Sequence, residues 1–196
     1  MPSQSGRDRL LDAVVGYFAA DGLGDQSLRA IAEAVGTSHR MLLYHFGSRD
    51  GLLLAVAQAV EARTQLQMSA FAANGDAWGS AEMIRQVWAY VSDPDLGDFE
   101  RLFFALYSRA LQGDDALAPL LAGDVSRWLD FNVAAAGAVG IDLDPAVVAV
   151  HARLGLAVVR GLLLDLLATG ERAEVSAALD VFAGLYAGAG FARSGG

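Results

Sequence analysis

The sequence predicts an all-α protein with a small N-terminal head and a larger helical body. Apolar residues recur at i, i+3, i+4 and i+7 nearly from end to end, the period of a helix face. No stretch of useful length alternates in the manner of a strand. Clusters of Gly, Asp, Ser and Pro cut the helical pattern into segments of ordinary helix length.

The segments follow in order. Leu10, Leu11, Val14, Val15 and Phe18 form one apolar stripe, and Asp21-Gly22-Leu23-Gly24 ends it with turn residues. Ser27 is a natural N-cap for a short helix carrying Leu28, Ile31, Ala32 and Val35, which Gly36 stops. Ser38 caps a third helix over 38–45, and Gly47-Ser48 breaks again. A long connecting helix is expected over 48–72. Further helices are expected near 79–91, 97–112, 116–138, 144–168 and 173–190, separated by Asp93-Pro94-Asp95, Gly113-Asp114-Asp115, Asp142-Leu143-Asp144-Pro145 and Thr169-Gly170. This gives a head over 1–47 and a body over 48–196.

Composition narrows the function. The chain has 196 residues, 54% of them apolar, which supports a substantial core. It has no Cys, so disulfides and thiolate metal sites are excluded. The N-terminal stretch lacks the pattern of a signal peptide, and Arg153, Arg160 and Asp165 interrupt the most apolar segment. A cytoplasmic protein without a membrane span is therefore expected. The net charge is −9, yet it is unevenly spread. Residues 27–49 carry Arg29, Arg40 and Arg49 against Glu33 alone, a local net of +2. Residues 51–196 hold nine Arg and seventeen acids. A mildly basic segment thus sits on an acidic body, and a local field matters more to a polyanion than the sum.

That basic segment is also the one with a recognisable device. Two short helices are joined by Gly36-Thr37-Ser38, with Gly36 supplying the positive φ that a tight turn needs. This is a helix-turn-helix pattern, whose second helix can lie in a major groove. Leu42 and Phe46, four apart, would pack inward. Thr37, Ser38, His39, Arg40, Leu43 and Tyr44 then face outward, and they are the hydroxyl, cationic and methyl-contacting types that phosphates and base edges need.

The stretch resembles the DNA-binding head of the tetracycline-repressor (TetR) family. The resemblance lies in Ser27-Leu28-Arg29-Ala30-Ile31-Ala32, Ala34-Val35-Gly36-Thr37-Ser38, Leu42-Leu43-Tyr44-His45-Phe46 and Ser48-Arg49-Asp50-Gly51-Leu52. It implies phosphate contacts at Ser27, Tyr44, His45 and Arg49, and base reading at Arg29, His39 and Arg40. Leu43 stands where the family usually has Tyr, and a thymine methyl is an alternative contact for it. Arg40 stands where a small residue is common, which suggests an added guanine or phosphate contact. The resemblance further implies duplex DNA, in the form of a pseudo-palindromic operator, as partner, and repression relieved by a small apolar or amphipathic molecule.

The resemblance also implies a ligand cavity in the body. Its candidate lining is Trp78, Trp88, Phe99, Phe103, Tyr107, Trp128 and Phe131, with His151 and Arg153 as polar anchors. The same aromatics could equally fill a core, and an arginine on that helix could form an ion pair with Asp165 instead of meeting a carboxylate-bearing ligand. The last two helices carry Leu154, Val158, Gly161, Leu162 and Leu166, and Leu179, Phe182 and Tyr186. By resemblance they pair with their copies in a homodimer, with Ala157 and Gly161 permitting close approach. No enzyme is expected, because there is no His-Glu-x-x-His, P-loop or Gly-x-Ser-x-Gly, and no cofactor or metal is implied. The rival reading is a helical small-molecule or protein-interaction module without DNA binding.

Overall fold

A computed structural model of the chain describes residues 5–73, 80–138, 140 and 142–188. The described residues form helices and no strands. They are α1 (Gly6–Asp21), α2 (Leu28–Ala34), α3 (His39–Phe46), α4 (Arg49–Ala73), α5 (Ala81–Val91), α6 (Gly97–Leu111), α7 (Ala118–Ala138), α8 (Pro145–Thr169) and α9 (Arg172–Gly188). Short 3-10 turns precede α6 and α7. The expected helices are therefore present, with ends moved by one or two residues.

Local chemistry explains the boundaries. α1 opens with a capping box: Ser5 Oγ accepts from the Asp8 N–H at 3.1 Å, and the Asp8 carboxylate accepts from the Ser5 N–H at 3.3 Å. Ser27, Ser38, Ser48 and Ser80 each accept from a backbone N–H three residues on, at 3.0–3.3 Å. Asp144 caps α8 ahead of Pro145, and Gly170 closes it in the left-handed region, donating to the Leu166 carbonyl.

The chain packs as two compact units. The first is Met1–Thr64 with Asp98–Asp124, and the second is Gln65–Gly97 with Val125–Gly196. A division drawn at 47–48 from sequence follows the motif. The packing units instead follow the buried side chains. Leu102, Leu106, Ala110, Leu117 and Leu120 join one core with Val14, Phe18, Ile31, Leu42, Phe46, Leu52 and Val56. The first turns of α4, and α6 through Leu102, Leu106 and Ala110, thus stabilise the helix-turn-helix by shared burial.

In the second unit α5 packs on α9 and α8, and α8 on α9. Ile84, Val87, Trp88, Val148, Ala152, Leu163, Leu166, Val175, Leu179 and Ala183 are its buried face. The stripe expected to pair with a second copy divides. Leu166 and Leu179 are buried, and Val158, Leu162, Phe182 and Tyr186 half-buried, within the unit itself, whereas Leu154, Ala157 and Gly161 are exposed. With Val147, Val150 and Leu164 these three form an exposed face of α8. Its spacing alternates three and four, the register of a helix-pairing seam. Val181 and Leu185 are large apolar residues of α9 that stand exposed.

Candidate nucleic-acid interface

The turn between α2 and α3 is fixed by main-chain geometry. Gly36 has φ 70°, its N–H donates to the Glu33 carbonyl at 3.2 Å, and the Thr37 N–H reaches back to Ala32 at 2.8 Å. This pair of bonds is a Schellman close, which satisfies the last carbonyls of α2 and turns the chain sharply into α3. Leu42 and Phe46 are buried, so the inward face of α3 is set by the core. His39, Arg40, Leu43 and Tyr44 are left exposed, Tyr44 by 79%.

The other predicted contact residues lie at the start of α2, in the α2–α3 turn, on α3 and at the start of α4. Ser38 caps α3, and Thr37 is half-buried beside it. His45 is half-buried, edge-on to Tyr44 at 4.9 Å and to Phe46 at 6.2 Å. Ser27 and Arg29 are exposed at the start of α2. A helix start with its N–H groups pointing outward favours a phosphate. No acid occurs in α3, so nothing on that helix opposes an anion.

Arg49 has a role that its position in the motif does not reveal. Its Nε donates to the Gln26 carbonyl at 3.0 Å and its Nη2 to the Gly24 carbonyl at 3.1 Å. Asp25 lies 3.5 Å from the same Nη2 and 3.7 Å from Arg109 Nη1, and Arg109 is held by Asp114 at 2.8 Å. Arg49 thus ties the α1–α2 loop to the start of α4. The contacts span more than twenty residues of chain, so no local sequence signal announces them.

Two further features escape a sequence reading. The guanidinium of Arg7 lies over the Phe46 ring, 5.2 Å from its centroid. Gly51 sits so close to the Phe46 carbonyl that a Cβ there would collide with it. Glycine therefore lets the end of α3 lie against the first turn of α4.

The expected ligand residues divide between the units. Trp78 lies outside the described residues. Phe99, Phe103 and Tyr107 are half-buried on α6 in the first unit, with the Phe103 and Tyr107 rings 5.7 Å apart and Arg63 4.2 Å above Phe99. Trp88, Trp128, Phe131, His151 and Arg153 belong to the second. Trp88 is buried and donates to Ser176 Oγ at 3.1 Å; Trp128 donates to the Ala152 carbonyl at 3.2 Å and packs beside Phe131. His151 meets Tyr186 edge-on at 5.6 Å, and burial pushes the Tyr186 phenol up to about 12. Arg153 is exposed on α8 beside the Val150–Leu154 seam, so it is not the inward-facing anchor that a carboxylate would need within one chain.

Parts of the chain are similar to known proteins. Residues 10–56 match the model for bacterial regulatory proteins of the tetR family. A 44-residue stretch is 46% identical to the HTH-type transcriptional regulatory protein RaaS of Mycobacterium tuberculosis, covering 22% of this chain and 20% of that one. The chain thus matches about a fifth of that relative's length. The fold extends further. A transcriptional regulator from Rhodococcus sp. Rha1 superposes with TM-score 0.76 at 21% identity, over 93% of this chain and 96% of that one. The multidrug binding protein EbrR, in complex with imidazole, superposes with TM-score 0.64 at 26% identity, over 93% and 96%.

Proposed function

We propose that the chain, whose residues 10–56 match the model for bacterial regulatory proteins of the tetR family, is a transcriptional regulator and not an enzyme: a ligand-responsive repressor that binds a pseudo-palindromic operator as a homodimer. The observation that carries the reading is the face of α3. It turns His39, Arg40, Leu43 and Tyr44 to solvent on a helix without an acid, while Leu42 and Phe46 lock the helix to the core. Two copies of α3 enter successive major grooves, with half-sites about one helical turn apart or a small multiple of it. Arg29, His39 and Arg40 read base edges. Leu43 contacts a thymine methyl, and Thr37 and Ser38 complete the groove contacts. Ser27, Tyr44 and His45 meet phosphates, as does Arg49 through the guanidinium edge not used on the loop.

Residues 1–47 act as the reading head and 48–196 as the ligand-binding and dimerising body, joined through 48–72. The seam on α8 and α9 supports the dimer. Val150 and Leu185 are 66% and 72% exposed, and α8 is long and apolar enough, by length and composition, to cross a membrane. A helix apolar on both faces wants a second cover. Here one face meets the second unit, and a second copy of α8 and α9 covers the other, in the cytoplasm. A two-fold dimer also matches what a pseudo-palindrome requires. The effector is a small apolar or amphipathic molecule bound in the body. Its coupling to DNA release is about 1–3 kcal/mol, the usual range for allostery.

Selection of bound fragments from randomised duplex DNA tests this. An enriched inverted repeat, bound with an affinity that falls steeply with salt, is the expected outcome. No enrichment and salt-insensitive binding, with and without small-molecule extract, would leave a helical interaction module and no operator.

A further inference from the structure

We propose that Arg7 is a phosphate-binding residue of the DNA interface, held there by the ring of Phe46. The inference builds on the DNA-binding reading above and extends the interface from the helix-turn-helix to the start of α1.

Phe46 is the last residue of α3, and 91% of its surface is buried, so packing fixes the position of its ring. Arg7 lies in the first turn of α1, is exposed, and holds its guanidinium carbon 5.2 Å from that ring's centroid. A guanidinium at this distance from a ring is attracted to it, and the contact does not use its N–H donors. The attraction thus helps to order a long side chain at the C-terminal end of the recognition helix and leaves its donors to the surroundings. Ordering before binding reduces the rotamer entropy given up when the partner arrives.

The charges nearby favour an outside acceptor. Asp8, the adjacent acid, is turned back onto the Ser5 N–H by the capping box. Among the described residues, Arg85, Arg101 and Arg109 are each paired with an aspartate, at 2.7, 2.9 and 2.8 Å. Arg49 spends donors on two loop carbonyls. Arg7 lies against the Phe46 ring, with no acid across from it among the described residues. A helix lying in a major groove is flanked by the two phosphate strands, and a cation at its end meets backbone and not a base edge. The phosphodiester matches the chemistry, because its oxygens accept the paired N–H donors of a guanidinium.

The test uses the full chain, the operator recovered by selection and a random duplex of equal length, with affinity followed against salt. Arg7→Gln is expected to weaken both duplexes by the same factor. It should flatten the salt slope by about 0.9 for each phosphate no longer neutralised, or about 1.8 for the two copies in a dimer. Arg7→Lys keeps the charge and the slope. A wild-type slope in Arg7→Gln, or a weakening confined to the operator, overturns the assignment, as does a lowered melting temperature with the slope unchanged. A wild-type protein whose DNA binding ignores salt overturns the DNA-binding reading itself, which separates the two failures.

Discussion

α3 and α8 both turn an uncovered face to solvent, but the two faces are made of different chemistry. That of α3 mixes a guanidinium, an imidazole and a phenol with Met41 and Leu43, and Tyr44 stands out by 79%. That of α8 is aliphatic along its length, from Val147 through Val150 and Leu154 to Leu164. Hydrogen-bonding groups and a cation suit a charged, hydrated partner. A seam of exposed aliphatics is stable in water only when another apolar surface removes it. One chain thus carries two exposed faces that can be told apart by composition alone.

The largest expected effect comes from the apolar seam. Leu154→Glu places a charge where a second copy of α8 would bury it, at a cost of several kcal/mol for each copy. Sedimentation should show a monomer, and operator affinity should fall by at least about a hundredfold. An unchanged dimer would move the interface elsewhere and erase the contrast between α3 and α8.

The same substitution at two glycines sharpens the contrast. Gly51→Ala drives a methyl into the Phe46 carbonyl and forces α3 away from α4. A destabilisation of about 1–3 kcal/mol is expected in denaturant melts, the usual range for overpacking, with weaker operator binding. Gly155→Ala on α8 meets open space and should stabilise by about 0.5–1 kcal/mol, because alanine is the better helix former. Equal effects at the two sites would mean that the close approach of α3 to α4 does not depend on glycine.

Arg40→Ala probes the polar face directly. A weakening of about 1–3 kcal/mol on the operator, with random duplex little changed, is expected in parallel titrations. Equal weakening on both would move Arg40 from base reading to backbone contact.

The smallest effect is a pH dependence in the second unit. Burial raises the Tyr186 phenol to about 12 from its ordinary 10.0, so the folded state favours the protonated form. Its contribution is complete below pH 10 and fades as pH rises through 12. The ring is only partly buried, so solvent screening keeps the effect small. Tyr186→Phe should melt with a flatter alkaline limb than the parent between those two values; parallel limbs would rule the phenol out.

Much of the head was legible because its determinants are local. A serine cap acts three residues away, a Schellman turn closes over six, and Leu42 and Phe46 share a face because a helix repeats every 3.6 residues. The helical order of the body followed from the same period and from its Gly, Asp and Pro breaks. The division of the aromatics was not legible. Phe103 and Trp128 satisfy one helical pattern equally well, and their separation into two cores depends on which helices meet.

The sequence by itself determined the helices, their caps, the turn and the charge contrast, since each is written within a few residues of chain. The tertiary structure alone decided that Arg49 holds the Gly24–Gln26 loop, that Arg7 lies on Phe46, that Gly51 admits the end of α3, and which side of α8 is left uncovered. These contacts join residues from about five to forty positions apart. An arginine's donors and a helix's two apolar faces are the same in sequence whatever they touch. Only packing in three dimensions assigns the partner.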